Sequence, residues 1–192
     1  MASPDELKPR APEPVKPAMV INVVGADLAL RFLLFATTLV SLVLMVTSKQ
    51  TKLVHVPAPF PLYVVTHAKF NHSPALIYFV VAISVALLHS VLTGLISALP
   101  ICKPAPEAKK LLVLAFLDSL ILGVVASAMG AVASIAYIGF KGNSHVRWNK
   151  ICNIYDKFCR YAGSSVIISL VASIILVLLV MISTYSLYRR SK

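Results

Sequence analysis

Three titratable residues stand where such residues are expensive: Arg31, His89 and Asp118 each interrupt a long run of apolar side chains. Arg31 and Asp118 have the chemistry of an ion pair, guanidinium to carboxylate. Left alone in hydrocarbon, each charge costs about 3 kcal/mol or more on insertion scales. Held at one depth by neighbouring first and third spans, they neutralise and hydrogen-bond one another and fix how those two helices pack. In a competing reading Arg31 snorkels to the headgroups, while Asp118 is protonated or faces another polar group. His89 has the chemistry of a proton relay or a metal ligand. No carboxylate stands three or four residues away from it, so it reads equally as a packed, hydrogen-bonded histidine that extends the cluster.

A second group lies in the last loop, where Trp148, Cys152, Tyr155, Phe158 and Cys159 form W-x3-C-x2-Y-x2-F-C. The C-x6-C spacing can close as a disulfide on an oxidising side of a membrane; two free thiols are the alternative. The rings read either as a compact cluster that binds another protein or wall component, or as an interfacial aromatic belt. Cys102 is a lone thiol beside the membrane, a candidate for palmitoylation. Asn71-His72-Ser73 is a glycosylation triplet, but Pro74 follows and the membrane is close, so modification is not expected. His55, His67 and His72 lack metal-ligand spacing. No nucleophile elbow, phosphate-binding glycine loop, HExxH or paired-carboxylate motif occurs, so no enzyme, cofactor or metal site is expected.

The elements that position these residues follow from composition. Of 192 residues, 58% are hydrophobic and 13% charged, and the mean hydropathy is +0.85. A soluble domain carries about twice that charge, and here the apolar residues come in unbroken blocks. Four stretches reach the roughly 20 residues a hydrocarbon core requires: about 26–46, 75–99, 111–138 and 164–188. Residues 1–25, rich in proline and charge, read as a disordered tail, and residues 189–192 as a short second tail. The expected fold is an all-α membrane protein, a bundle of four transmembrane helices.

The net charge of +11 sits almost wholly between the apolar blocks. That favours lipid headgroups as the partner and argues against nucleic acid. With both termini cytoplasmic, the inner segments hold Lys8, Arg10, Lys16, Lys103, Lys109, Lys110, Arg189, Arg190 and Lys192. The outer loops hold Lys49, Lys52, Lys69, Lys141, Arg147, Lys150, Lys157 and Arg160. Nine against eight barely separates the two orientations. A disulfide outside and a lone thiol inside favour cytoplasmic termini. Arg31 and Asp118 then lie at a common depth, about 8–10 Å inside the cytoplasmic boundary at 1.5 Å per residue.

The third span is rich in small residues. Gly123, Ser127 and Ala131 recur every four positions, as do Ala126, Gly130 and Ser134. Such faces let backbones approach closely, either between copies of the chain or within one bundle.

Taken together, these residues resemble the CASP-like family, relatives of the Casparian strip membrane domain proteins, and most closely its subgroup 1. The resemblance spans about Asp27 to Tyr188. It rests on Arg31 in LRF, on Asp118, on the loop motif, on Tyr78-Phe79 and on the lysine-rich inner link. It implies a four-helix bundle related to MARVEL-type bundles, in a plant plasma membrane, with cytoplasmic termini. It also implies homo- and heterodimers or larger platforms that recruit cell-wall-modifying enzymes. The founding members carry a distinctive stretch in the first outer loop that KQTKLVHVPAPFPLYVVTHAKFNHSP lacks, so the implied role is general scaffolding. The alternative from another class is a small channel or transporter with Arg31, His89 and Asp118 along a polar path.

Overall fold

A computed structural model describes residues 17–56, 62–98 and 108–191. Four helices dominate: α1 (Pro17–Thr47), α2 (Pro74–Ala98), α3 (Ala108–Lys141) and α4 (Asp156–Ser191). Each contains a segment long and apolar enough to cross a bilayer. The chain is an all-α membrane protein with four spans.

Several boundaries differ from those expected. Residues 17–25, assigned above to a disordered tail, are helical, because a proline is well suited to a first helical position and an apolar run follows it. Residues 189–191, assigned to a second tail, continue α4. α4 also starts at Asp156, where a carboxylate complements the helix dipole. At 34 and 36 residues, α3 and α4 are about 50 Å long and overhang a hydrocarbon core of about 30 Å. Residues 1–16, Cys102 with most of the inner link, and Lys192 lie outside the described residues.

The first loop folds as well. β1 (Lys49–Val56) pairs antiparallel with β2 (Leu62–Lys69), in a register running from Lys49↔Lys69 to Val56↔Leu62. A 3-10 turn at Phe70–His72 then leads into α2. Valine, threonine and tyrosine along LVHV and LYVVTHA suit a half-buried pleated surface. One face of the hairpin carries Gln50, Lys52 and Thr66 and docks on the last loop. Gln50 Nε2 donates to Asp156 Oδ1 at 3.2 Å, the Phe158 amide donates to Gln50 Oε1 at 3.0 Å, and the Tyr155 hydroxyl donates to Thr66 Oγ1.

The helices form a closed ring: α1 packs on α2 and α4, and α3 packs on the same two. α1 and α3 are therefore diagonal partners across the bundle. Near the hairpin the interior is apolar, with Met45, Phe79, Ile83, Val125 and Val132 buried together. Towards the opposite end, here called the tail end, Leu34 packs with Ala172, Ile175, Leu176 and Leu179. Between α1 and α4, Ser41 and Ser165 clasp each other: each hydroxyl donates to the other's carbonyl, at 3.0 and 2.7 Å. Outward-facing positions are apolar, Phe32 being 71% exposed. That inverts the soluble pattern and suits a hydrocarbon solvent.

Candidate functional site

The charged residues converge about a third of the way along the bundle from its tail end. Arg31 of α1 is 1% exposed and Asp118 of α3 is 0% exposed. Arg31 Nη2 donates to Asp118 Oδ2 at 3.4 Å, a long contact beside the others in the cluster. His89 of α2 lies 2.6 Å from the second carboxylate oxygen, Nε2 to Oδ1, the geometry of a ring N–H donating to a carboxylate. The carboxylate missing from His89's own helix is thus supplied by α3. Arg31 Nε has a closer partner still in Asp27 Oδ2, at 3.0 Å and one turn earlier on α1.

Asp27 escaped the sequence reading because it stands at the edge of the first span; D-x3-R at (i, i+4) was the available signal. One expectation is corrected. Arg31 and Asp118 do not fasten two adjacent helices, because α1 and α3 are diagonal. The long guanidinium stem crosses the middle of the ring to reach α3.

Such a cluster can hold three helices in register, since Arg31 and Asp118 are buried charges that are costly to leave without partners. Arg31 Nη1 is the one buried side-chain nitrogen without a hydrogen-bond partner among the described residues. An apolar groove of about 600 Å³ between α1 and α2, lined by Gly25, Ala29, Phe32, Val91 and Gly94, has Arg31 in its wall. No group of three His, Cys, Asp or Glu side chains able to hold a metal occurs among the described residues.

In the last loop, Cys152 and Cys159 are disulfide-bonded. The three aromatic residues do not share one environment, so of the two readings offered by the sequence the compact cluster is not formed. Trp148 is 58% exposed on a tight turn, Tyr155 reaches across to β2, and Phe158 packs against the apolar core. Helical phase separates them, since α4 begins at Asp156 and turns Phe158 inward. The turn itself needs Gly142: its φ is +71°, and a Cβ there would meet the Trp148 carbonyl oxygen at 2.8 Å. Asp156, which faces Gln50, has its carboxyl held below the ordinary carboxylate range. The Gln50 amide is the main cause, followed by the Lys157 backbone N–H.

The small-residue stripe of α3 faces outward. The face that packs inside the chain is Val125, Ala128 and Val132. Gly123, Ser127, Gly130 and Ser134 are exposed, and Ala131 is half-buried. A Cβ at Gly123 or Gly130 would meet nothing within 4 Å. Ser127 is engaged laterally, its Oγ 2.6 Å from the Tyr78 hydroxyl on α2.

Residues 22–175 match the family model of the Casparian strip membrane protein domain. Among curated relatives, the CASP-like protein 1D1 of Musa acuminata is 50% identical over 173 residues, covering 89% of this chain and 91% of that one. The CASP-like protein 1D1 of Populus trichocarpa is 53% identical over 169 residues, 88% of this chain and 86% of its own. A third, from Oryza sativa subsp. japonica, is 48% identical over 170 residues, 88% and 82% of the two chains. No solved structure matches. With the family model covering most of its length and relatives near half identity over nearly nine-tenths of it, the chain belongs to the CASP-like family of membrane proteins.

Proposed function

We propose that this protein is a non-enzymatic plasma-membrane scaffold. It self-associates into dimers or larger platforms and recruits cell-wall-modifying partners, with both termini cytoplasmic. The carrying observation is the seal around the charged cluster. Arg31 and Asp118 are buried, His89 is 9% exposed, and towards the hairpin the ring closes over them with Phe79, Ile83, Met45 and Val125. A residue set built to pass a solute needs water at both ends of its path; this one is locked into structure. The outward small-residue stripe of α3 supports association between copies, because close backbone approach is what membrane helix pairs exploit. The paired cysteines support the orientation, since a disulfide persists on an oxidising side of a membrane.

Crosslinking in native membranes, with native-gel sizing and fluorescence recovery after photobleaching, tests the scaffold directly. The expected result is a slowly diffusing species of at least twice the chain mass. A monomer diffusing at the rate of an unrelated four-span protein rejects it.

A further inference from the structure

The hairpin end carries a charge imbalance that nothing within the chain offsets. Residues 48–73 and 139–163 hold eight Lys and Arg against a single acid, Asp156. That acid is already engaged by Gln50 and Lys52. All eight cationic side chains are exposed. Some are set against one another. Lys49 stands directly opposite Lys69 in the hairpin register, an arrangement that destabilises a strand pair in isolation. Lys49 then meets Lys157 at the rim of a cleft of about 150 Å³ shared with Thr47, Phe158 and Tyr161. Among the described residues, no carboxylate lies within ion-pair reach of Lys49, Lys69 or Lys157. In the last loop, Arg147 and Lys150 stand on either side of the exposed Trp148 in the sequence. The turn that carries Arg147 and Trp148 is closed by the paired backbone hydrogen bonds between Asn143 and Trp148, so the backbone beneath those two side chains is already ordered.

These features choose among anions. A small anion meets at most two or three of the eight charges, because they are spread over both loops. Anionic phospholipid is concentrated in the cytoplasmic leaflet, whereas the orientation proposed above, which the disulfide supports, puts this end on the other side. An extended polyanion matches the spread, and an exposed indole between two cations offers an apolar face for a sugar ring. We infer that the hairpin end docks a linear polymer of acidic sugars, its carboxylates on the Lys and Arg of both loops and one ring against Trp148. This docking rests on the orientation proposed above and gives the scaffold an anchor outside the membrane. Each contact is weak and salt-screened, so affinity comes from repetition along the polymer.

The full chain, reconstituted in phosphatidylcholine nanodiscs, is titrated with polygalacturonate and with its fully methyl-esterified form. The charged polymer is expected to bind and to weaken about tenfold when salt rises from about 50 to about 250 mM. The esterified polymer is expected not to bind. Arg147→Gln with Lys150→Gln should weaken binding about tenfold and Trp148→Ala about threefold, all on exposed positions that leave the fold intact. Lys109→Gln with Lys110→Gln, at the opposite end, should change nothing. Equal affinity for the esterified polymer, or a loss that follows Lys109 and Lys110, overturns the docking. So does equal affinity for polyglutamate with no dependence on Trp148, which points to an acidic protein. Capture of phosphatidylserine vesicles without polygalacturonate binding likewise overturns it, pointing to a second membrane. Orientation is read separately, by an impermeant maleimide on reduced intact cells expressing a Cys102→Ser chain. Labelling of Cys152 and Cys159 supports the outward placement; no labelling overturns that placement, whatever the nanodiscs show.

Discussion

The two ends of the bundle are held by different physics. At the tail end, α1, α2 and α3 meet through Arg31, Asp27, His89 and Asp118, a few buried polar contacts that are each costly to leave unmade. At the hairpin end, the same helices meet through Met45, Phe79, Val125 and their neighbours. Above them sit a disulfide and several exposed hydrogen bonds. The first arrangement concentrates risk in single residues, and the second spreads it over many. The lesson is that register and tolerance are assigned to opposite ends of one short bundle.

The sharpest way to break this contrast is Asp118→Ala. It removes the one carboxylate that His89 contacts and leaves Arg31 only Asp27, and we expect a loss of about 3 kcal/mol, read as a fall in the unfolding midpoint in detergent. A variant as stable as the parent would sink the idea that the cluster holds the bundle. Exchanging the charges, Arg31→Asp with Asp118→Arg, is a poor test because the new carboxylate would face Asp27. Arg31→Met with Asp118→Leu is the better one. It should be less damaging than the two single changes together, by about 1–3 kcal/mol of coupling, and strict additivity would deny the pairing.

At the hairpin end the expected effects are smaller. Cys152→Ser with Cys159→Ser releases a short covalent loop and should cost about 2.5 kcal/mol by loop closure, measurable by thermal melting with and without reductant. Ser41→Ala should cost about 0.6 kcal/mol, the average for hydrogen bonds between membrane helices; a loss as large as that of Asp118→Ala would erase the contrast between the ends. The smallest effect concerns Asp156. Its carboxyl is held below its unfolded value, so its contribution is present above that value and fades as pH falls through the folded one. Amide protection in β1, measured relative to the intrinsic exchange rate at each pH, should therefore fall only below about pH 4, and Asp156→Asn should abolish that dependence.

Much of this was legible in the chain before folding. The four spans follow from block length, and Arg31 and Asp118 declare themselves because a charge within an apolar run demands a partner. Other features were hidden for physical reasons. Helix ring order is a tertiary property, so nothing in the spacing of Arg31 and Asp118 reveals that their helices are diagonal. The hairpin was hidden too, because its two strands are short and Pro57, Pro59 and Pro61 separate them, so neither run reaches the length that makes a span conspicuous. Period alone also cannot say which of two stripes on α3 turns inward. Val125, Ala128 and Val132 took the core, and the glycines were left facing out.

The adjacency of α1 and α4, with both helices ending at the same side of the ring, constrains how assembly can be measured. Labels inserted at the start of α1 and at the end of α4 therefore sit in neighbouring places within a single molecule. A split reporter divided between them can reassemble intramolecularly, and a tandem energy-transfer pair will light up without any second copy. Evidence for oligomers must therefore come from halves carried on separate chains, ideally on the same terminus of each.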